Sequence, residues 1–213
     1  VSTIVACPDW EYENFPGYPY LLNQRTPLIL RRLRAVSHDV AIDICRDTRP
    51  LHREYFEGLT PSFFDHYAGH YRGEPYPCLL DYCVGVQGDP SVGHDPSIVV
   101  AEMYAFARSI DSAIRELDAV WKIGSSRTPA EKLLRTIKIA AAIFVYFLEI
   151  HPYVNGNGHM ARFSLICILS RFDIHLSKFP LHPRTKDSRY GPAIFNYRRS
   201  NKADLEQFLL DCI

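Results

Sequence analysis

The chain has 213 residues, 24 Lys+Arg against 24 Asp+Glu, 47% hydrophobic residues and 13% aromatics. That length suits one domain, and that apolar share excludes a disordered chain. The charge balance excludes a global field for nucleic acid or an anionic membrane, so any anion site must be local.

Opening on Val1 rather than Met, the chain reads as a fragment with no secretory leader. Its cysteines (Cys7, Cys45, Cys78, Cys83, Cys167 and Cys212) are scattered, with no pair at zinc-knuckle spacing. They read as reduced, mostly buried thiols of a cytoplasmic protein. The longest apolar stretch, Ile139 to Leu148, is half of what a bilayer demands and reads as a core helix.

Thr26-Pro27 has the form of an N-cap with proline at the first helical position, predicting a helix through about Asp47. Its Arg31, Arg32 and Arg34 read as a solvated face, because the leucines between them supply the buried side. Residues 51–72, LHREYFEGLTPSFFDHYAGHYR, mix short helical pieces with aromatic-rich loop, and His52, His66 and His70 read as turn or surface histidines. Cys78, Leu80, Tyr82, Val84 and Val86 fall on every second position, the period of a strand, and Gly85 and Gly88 suggest a short hairpin or edge ribbon. Cys78 and Cys83 could pair within it.

Asp95-Pro96 opens the next helix, whose stripe is Val99, Met103, Phe106, Ile110, Ile114 and Leu117. Thr128-Pro129-Ala130-Glu131 is a capping box with proline inside it, and beyond Ile139 every face of the helix it opens is apolar. That helix should end near His151, since a residue before proline is pushed out of the helical region. Another should start near Gly158. Arg184, Lys186 and Arg189, then Arg198, Arg199 and Lys202, read as solvated loop and helix, and short helices close the chain from about Ala193.

Between the two central helices lies HPYVNGNGHMAR, residues 151–162. Gly156-Asn157-Gly158 at a helix entry is a device for binding an anion: glycines allow positive φ and close approach, amides point outward, and the helix dipole adds to them. His159 and Arg162, three apart, share one face of the first turn and suit a di- or triphosphate. His151 stands on the other wall, where an imidazole with an ordinary pKa of about 6.5 can remove a hydroxyl proton.

The stretch resembles the Fic signature H-P-F-x-[D/E]-G-N-G-R-x-x-R, and LHREYF with YAGHYR is similar to that family's H-R-x-L-F and A-G-x-Y-R region. The alternating segment falls where the family has a β-hairpin flap. The resemblance implies a mainly α fold, a Fic-type bundle around two central helices with that short flap. Residues 51–213 would form it, with 1–50 a partly helical extension packed on the core.

It also implies a protein nucleotidyltransferase of the AMPylation type, moving a nucleoside monophosphate from ATP or another triphosphate to a Ser, Thr or Tyr hydroxyl of a target protein. His151 would be the general base. Asn155, Gly156, Asn157, Gly158, His159 and Arg162 would hold the nucleotide phosphates, and Leu80, Asp81, Tyr82, Cys83 and Val84 would dock the target by strand addition. Mg²⁺ would accompany the nucleotide, in the cytoplasm of the protein's own cell or of a host.

Two positions depart from the pattern. Asn155 stands where the family has an acidic magnesium ligand, and contributes no charge. His159 replaces the first arginine, so phosphate affinity is expected to tighten as it protonates. Restoring Asp and Arg at both is expected to speed transfer. Two alternatives stay open: a phosphotransferase using another donor, such as a kinase, and an impaired nucleotide-binding module. The only S-x-x-x-E, Ser112 to Glu116, lacks the residue that follows the family's inhibitory glutamate, so inhibition would come from a separate chain, from a lost segment, or not at all.

Overall fold

The computed structural model describes residues 7–86 and 88–213; the first six residues of the predicted extension lie outside them. It is mainly α, with eight α-helices and no sheet among the described residues. After a 3-10 turn at Tyr12–Asn14 come α1 (Tyr18–Ala35), α2 (His38–Arg46) and α3 (Arg49–Phe56). The longer α4 (Pro96–Trp121), α5 (Pro129–Ile150) and α6 (Asn157–Ser170) follow, then α7 (Tyr190–Arg198) and α8 (Ala203–Leu210). No helix of the described residues is long and apolar enough to cross a membrane.

Local start signals are obeyed where they meet no competitor. Asp95 accepts from the Ser97 amide to cap α4, and the Thr128 hydroxyl and Glu131 carboxylate exchange bonds to cap α5. The buried stripe of α4 includes all six predicted residues. α5 runs through the centre, with Ala140, Ala141, Phe144 and Phe147 wholly buried, and packs most extensively on α4 and α6. Small alanines beside large phenylalanines let neighbouring helices close on it without voids. α2 lies against both α4 and α6.

The Thr26-Pro27 start is a correction. α1 begins nine residues earlier, after left-handed Gly17 and with Pro19 in its first turn, and Pro27 lies inside it. Thr26 is buried there: its hydroxyl bonds the Leu22 carbonyl at 2.7 Å and the Tyr55 hydroxyl at 2.7 Å, so tertiary contacts outweigh the capping preference. The predicted single helix is also two, broken at Val36 and restarted by Ser37, whose hydroxyl accepts from Val40. Arg32 pairs with Glu54, and Arg31 and Arg34 are exposed, as a solvated face requires.

The flap is a second correction. Residues 82–85 form an irregular arm with no strand partner, and the segment's only β-contact among the described residues is a single bridge between Val86 and Asp89. The predicted alternation holds only in part: Tyr82 and Val84 are half-buried between exposed Asp81, Cys83 and Gly85, but Leu79 is wholly buried while Leu80 is 53% exposed. A lone arm with no neighbouring strand cannot form a ladder.

The cysteine reading is corrected too. Cys7 and Cys78 are disulfide-bonded, with Cα atoms 5.5 Å apart, and Cys83 is a free, exposed thiol. Cys45, Cys167 and Cys212 are free and buried, as expected. Persistent disulfides belong to oxidising surroundings, so the thiol-based argument for a cytoplasmic location falls away.

Candidate active site at the turn between α5 and α6

α5 ends because Pro152 follows His151, which takes left-handed angles of φ 52° and ψ 59°. Its Nδ1–H donates to the Leu148 carbonyl at 3.0 Å, leaving Nε2 as the acceptor nitrogen, without a protein partner among the described residues. Burial pushes this imidazole below its ordinary pKa. The Leu148 bond opposes that shift, and the charges of Arg72 and Arg198 add to it. The ring is therefore neutral, and a competent base, at neutral pH.

The turn itself is held from inside. The Asn157 side chain grips the backbone of Tyr153, accepting from its amide and donating to its carbonyl, both at 2.8 Å. Its side chain is a clamp inside the turn, which leaves the backbone amide as the group that could meet an anion. The Tyr153 ring stacks on His52 with centroids 3.7 Å apart, and its hydroxyl meets Thr48 at 2.7 Å. His52 accepts from the Gly69 amide on Nδ1, so its Nε2–H donates to the Asn155 carbonyl at 2.9 Å. Burial pushes its pKa down to about 3. His52 is thus a neutral core strut rather than a turn or surface histidine.

Gly156 takes φ 81° and caps α6, and a Cβ there would lie 2.3 Å from Phe56. The amides of Asn157 and Gly158 open the helix and have no intrahelical acceptor. One turn on, Arg162 donates from Nε to the Leu181 carbonyl at 3.0 Å and is 2% exposed. Its two Nη groups have no carboxylate or carbonyl partner among the described residues and border the cavity beside the turn. A buried, tethered guanidinium without a counterion, beside open amides at a helix N-terminus, is a seat for an anion.

His159 does not behave as the sequence suggested. Its ring lies among Tyr12, Tyr55 and Phe56, with centroids 5.2–5.7 Å away, and its Nε2 shares a proton with His182 Nδ1 at 3.3 Å. Burial, then the neighbouring Arg162 charge, holds its pKa well below the ordinary value. It is neutral, so wild-type protein and His159→Gln should show the same pH dependence of nucleotide affinity between pH 5.5 and 8, by titration calorimetry.

The same burial makes the fold acid-sensitive. The unfolded imidazole binds a proton below about pH 6.5 and the folded ones of His52 and His159 do not, so the unfolded state holds more protons and stability falls as pH drops from there.

The cavity, about 600 Å³, is walled by 9–13, 82–85, the turn, Arg162, Arg184 and Tyr190. Of the five predicted flap residues, Tyr82, Cys83 and Val84 border it; Leu80 and Asp81 border a separate depression around the disulfide. The wall formed by residues 9–13 is a strap invisible in sequence. Trp10 donates to the Leu59 carbonyl at 2.6 Å, and Asn155 Nδ2 donates to the Trp10 carbonyl at 2.9 Å and to a Glu11 carboxylate oxygen at 3.1 Å. Asn155 Oδ1 accepts from the Gly156 amide at 2.6 Å. The side chain that should meet magnesium instead fastens the strap.

Asn155→Asp should therefore release it, replacing a donor by a carboxylate that faces Glu11. A loss of about 1–3 kcal/mol in stability and a red-shifted Trp10 emission are expected, measured by denaturant titration and fluorescence.

Other arginines lie around the site, of which Arg184 borders the cavity. Arg72 lies under the turn, Arg198 forms a buried ion pair with Asp89 at 2.6 Å rather than facing solvent, and Arg184 stacks over Tyr190. Glu116 is exposed and bonds Arg135 at 2.6 Å, far from the turn in α4. His52 lies in LHREYF and Arg72 in YAGHYR, segments whose family resemblance marked the region but gave neither residue a role. The strap had no local signal at all.

What fold and turn define is a helical protein built around a bend whose helix-entry amides and buried arginine suit an anion, with an imidazole beside it. The Fic/DOC family matches residues 45–169, more than half of the sequence, and the chain belongs to that family. A comparison with curated proteins finds no match.

Proposed function

We propose that this Fic-family chain is a protein nucleotidyltransferase that moves a nucleoside monophosphate, AMP from ATP in the first instance, to a Ser, Thr or Tyr hydroxyl of a target protein. The observation that carries the reading is the pairing of two features across one turn: the uncompensated Nη groups of Arg162 over open helix amides, and the unpartnered Nε2 of His151. The first suits the β- and γ-phosphates, and the second suits the incoming hydroxyl. The hydroxyl oxygen bonds the α-phosphorus as its proton passes to Nε2. The bond from that phosphorus to the bridging oxygen breaks, and pyrophosphate leaves. Placement and charge neutralisation supply most of the acceleration. The target is taken to lie along 82–84, which borders the cavity and has no strand partner.

Magnesium is the ion expected with ATP, but the residues at position 155 do not fit it. The Asn155 oxygen is held by the Gly156 amide, and the neighbouring carboxylate belongs to Glu11 on the strap. No step above is routed through the ion. The same observation favours a second reading, a phosphotransferase with another donor, since a changed metal corner is where donor choice would change.

Intact-mass measurement after incubation with each nucleoside triphosphate, together with α- and γ-labelled ATP, tests the proposal. Incorporation of α-label with the mass of a nucleotide supports it. Transfer of γ-label alone indicates a kinase, and nucleotide binding without any transfer indicates a binding module; either result overturns it.

A further inference from the structure

Arg72 is wholly buried, and no carboxylate pairs with it among the described residues. Its guanidinium is satisfied by four carbonyls instead. Nε donates to His151 at 2.9 Å, Nη1 to Tyr82 at 2.9 Å, and Nη2 to both His94 and Ile150 at 3.0 Å. Its own amide donates to the Pro152 carbonyl at 2.8 Å.

These acceptors come from three places. Ile150 and His151 are the end of α5, where the helix dipole presents negative charge to the cation. Tyr82 is the first residue of the arm, and His94 stands just before α4. Burial pulls the arginine pKa down to about 10, so the group stays charged at neutral pH.

Two elements at the site meet at this guanidinium. The arm pairs with no strand, and its far end is tied by Gly93 and His94 to Glu149 and Ile150. His151 sits in left-handed backbone, which costs about 1–2 kcal/mol for a side-chain-bearing residue and needs outside contacts to persist. One rigid plane of donors holds a carbonyl of each. A lysine offers a point charge on a flexible stem and cannot span these acceptors in fixed directions.

We propose that Arg72 is a positioning residue that sets the register between the arm at 82–84 and the His151 imidazole. It touches neither donor nor target. It fixes how far a hydroxyl laid along the arm lies from Nε2. This inference rests on the functional reading above for its purpose, but the mechanical coupling it asserts can be measured without any transfer.

Cys83 supplies the probe, as an exposed free thiol on the arm whose free companions are buried. A nitroxide attached there should broaden the His151 ring proton signals and give a restrained electron-spin spectrum in wild-type protein. Arg72→Gln and Arg72→Lys should both narrow the spin spectrum and weaken the broadening by at least about twofold, with amide exchange inside α5 and α6 unchanged. Nucleotide Kd should stay within about twofold, since Arg162 and the α6 amides are untouched, while kcat/KM for the target falls at least tenfold.

Unchanged spin mobility and broadening in a folded variant overturn the proposal. So does a loss of protection throughout α5 and α6 in both variants, or failure of both to fold, because Arg72 would then be a general core strut. If wild-type protein transfers nothing, the nucleotidyltransferase reading fails while the spin measurement still decides the role of Arg72.

Discussion

Replacing His151 by alanine should leave nucleotide affinity within about twofold of wild type and reduce transfer by about 10²–10⁴, the range of a lost general base. The two outcomes separate because the residues divide the work by side of the turn. Arg162 and the first amides of α6 face the cavity from the helix entry, whereas His151 belongs to the end of α5 and has its Nδ1–H committed to Leu148. The tautomer is thereby fixed, and only Nε2 is available to take a proton.

The pH profile carries the sign. The base acts when neutral, so the wild-type rate should fall as pH drops through the imidazole pKa, which burial has moved below 6.5. The alanine variant should lack that acid limb. Single-turnover label transfer measured from pH 5 to 8 reads both results. Transfer within tenfold of wild type, or an unchanged acid limb in the variant, would remove His151 from the chemistry.

The elements legible in sequence were those whose information is local. Asp95-Pro96 and the Thr128 capping box announced α4 and α5 because a cap is decided within four residues. The unbroken apolar run after Ile139 announced the centre of the molecule, and His151-Pro152 announced where it bends. The failures share a different cause. Thr26-Pro27 is as good a start signal as Asp95-Pro96, but the Thr26 hydroxyl has Tyr55 and Leu22 to bond, and the helix runs through.

The alternation of Cys78 to Val86 gave a period without saying whether a partner strand exists. Cys7 finds Cys78 across 71 residues, a pairing that spacing alone cannot select. At the site, the glycines and Arg162 lie together at the entry of α6 as their spacing implied, while His159 had been given a role by position. Whether a histidine points to solvent or into Tyr12, Tyr55 and Phe56 depends on a strap that joins the site from the far end of the chain.

The two glycines of the turn, alike in sequence, should give opposite results on substitution by alanine. At Gly156 a methyl group would lie 2.3 Å and 2.6 Å from ring carbons of Phe56 and 2.9 Å from His52 Nε2, in backbone of φ 81°. The left-handed conformation costs about 1–2 kcal/mol and the overpacking a further 1–3 kcal/mol or so. Neither ring can move freely, because His52 is stacked on Tyr153 and bonded at both nitrogens.

Gly156→Ala should therefore lose about 2–5 kcal/mol, lowering Tm by roughly 5–15 °C, and lose nucleotide binding with it. At Gly158 the backbone is helical and the nearest atom to an added methyl is Arg162 Nη1 at 3.4 Å. Alanine there should hold or raise stability by up to about 1 kcal/mol through helix propensity. Its methyl would also crowd the guanidinium end that faces the cavity, so nucleotide Kd should rise several-fold in a protein that melts no lower than wild type. Calorimetric melting and binding on the two variants make the comparison. If Gly158→Ala binds nucleotide as wild type does, Arg162 does not meet the phosphates at this turn.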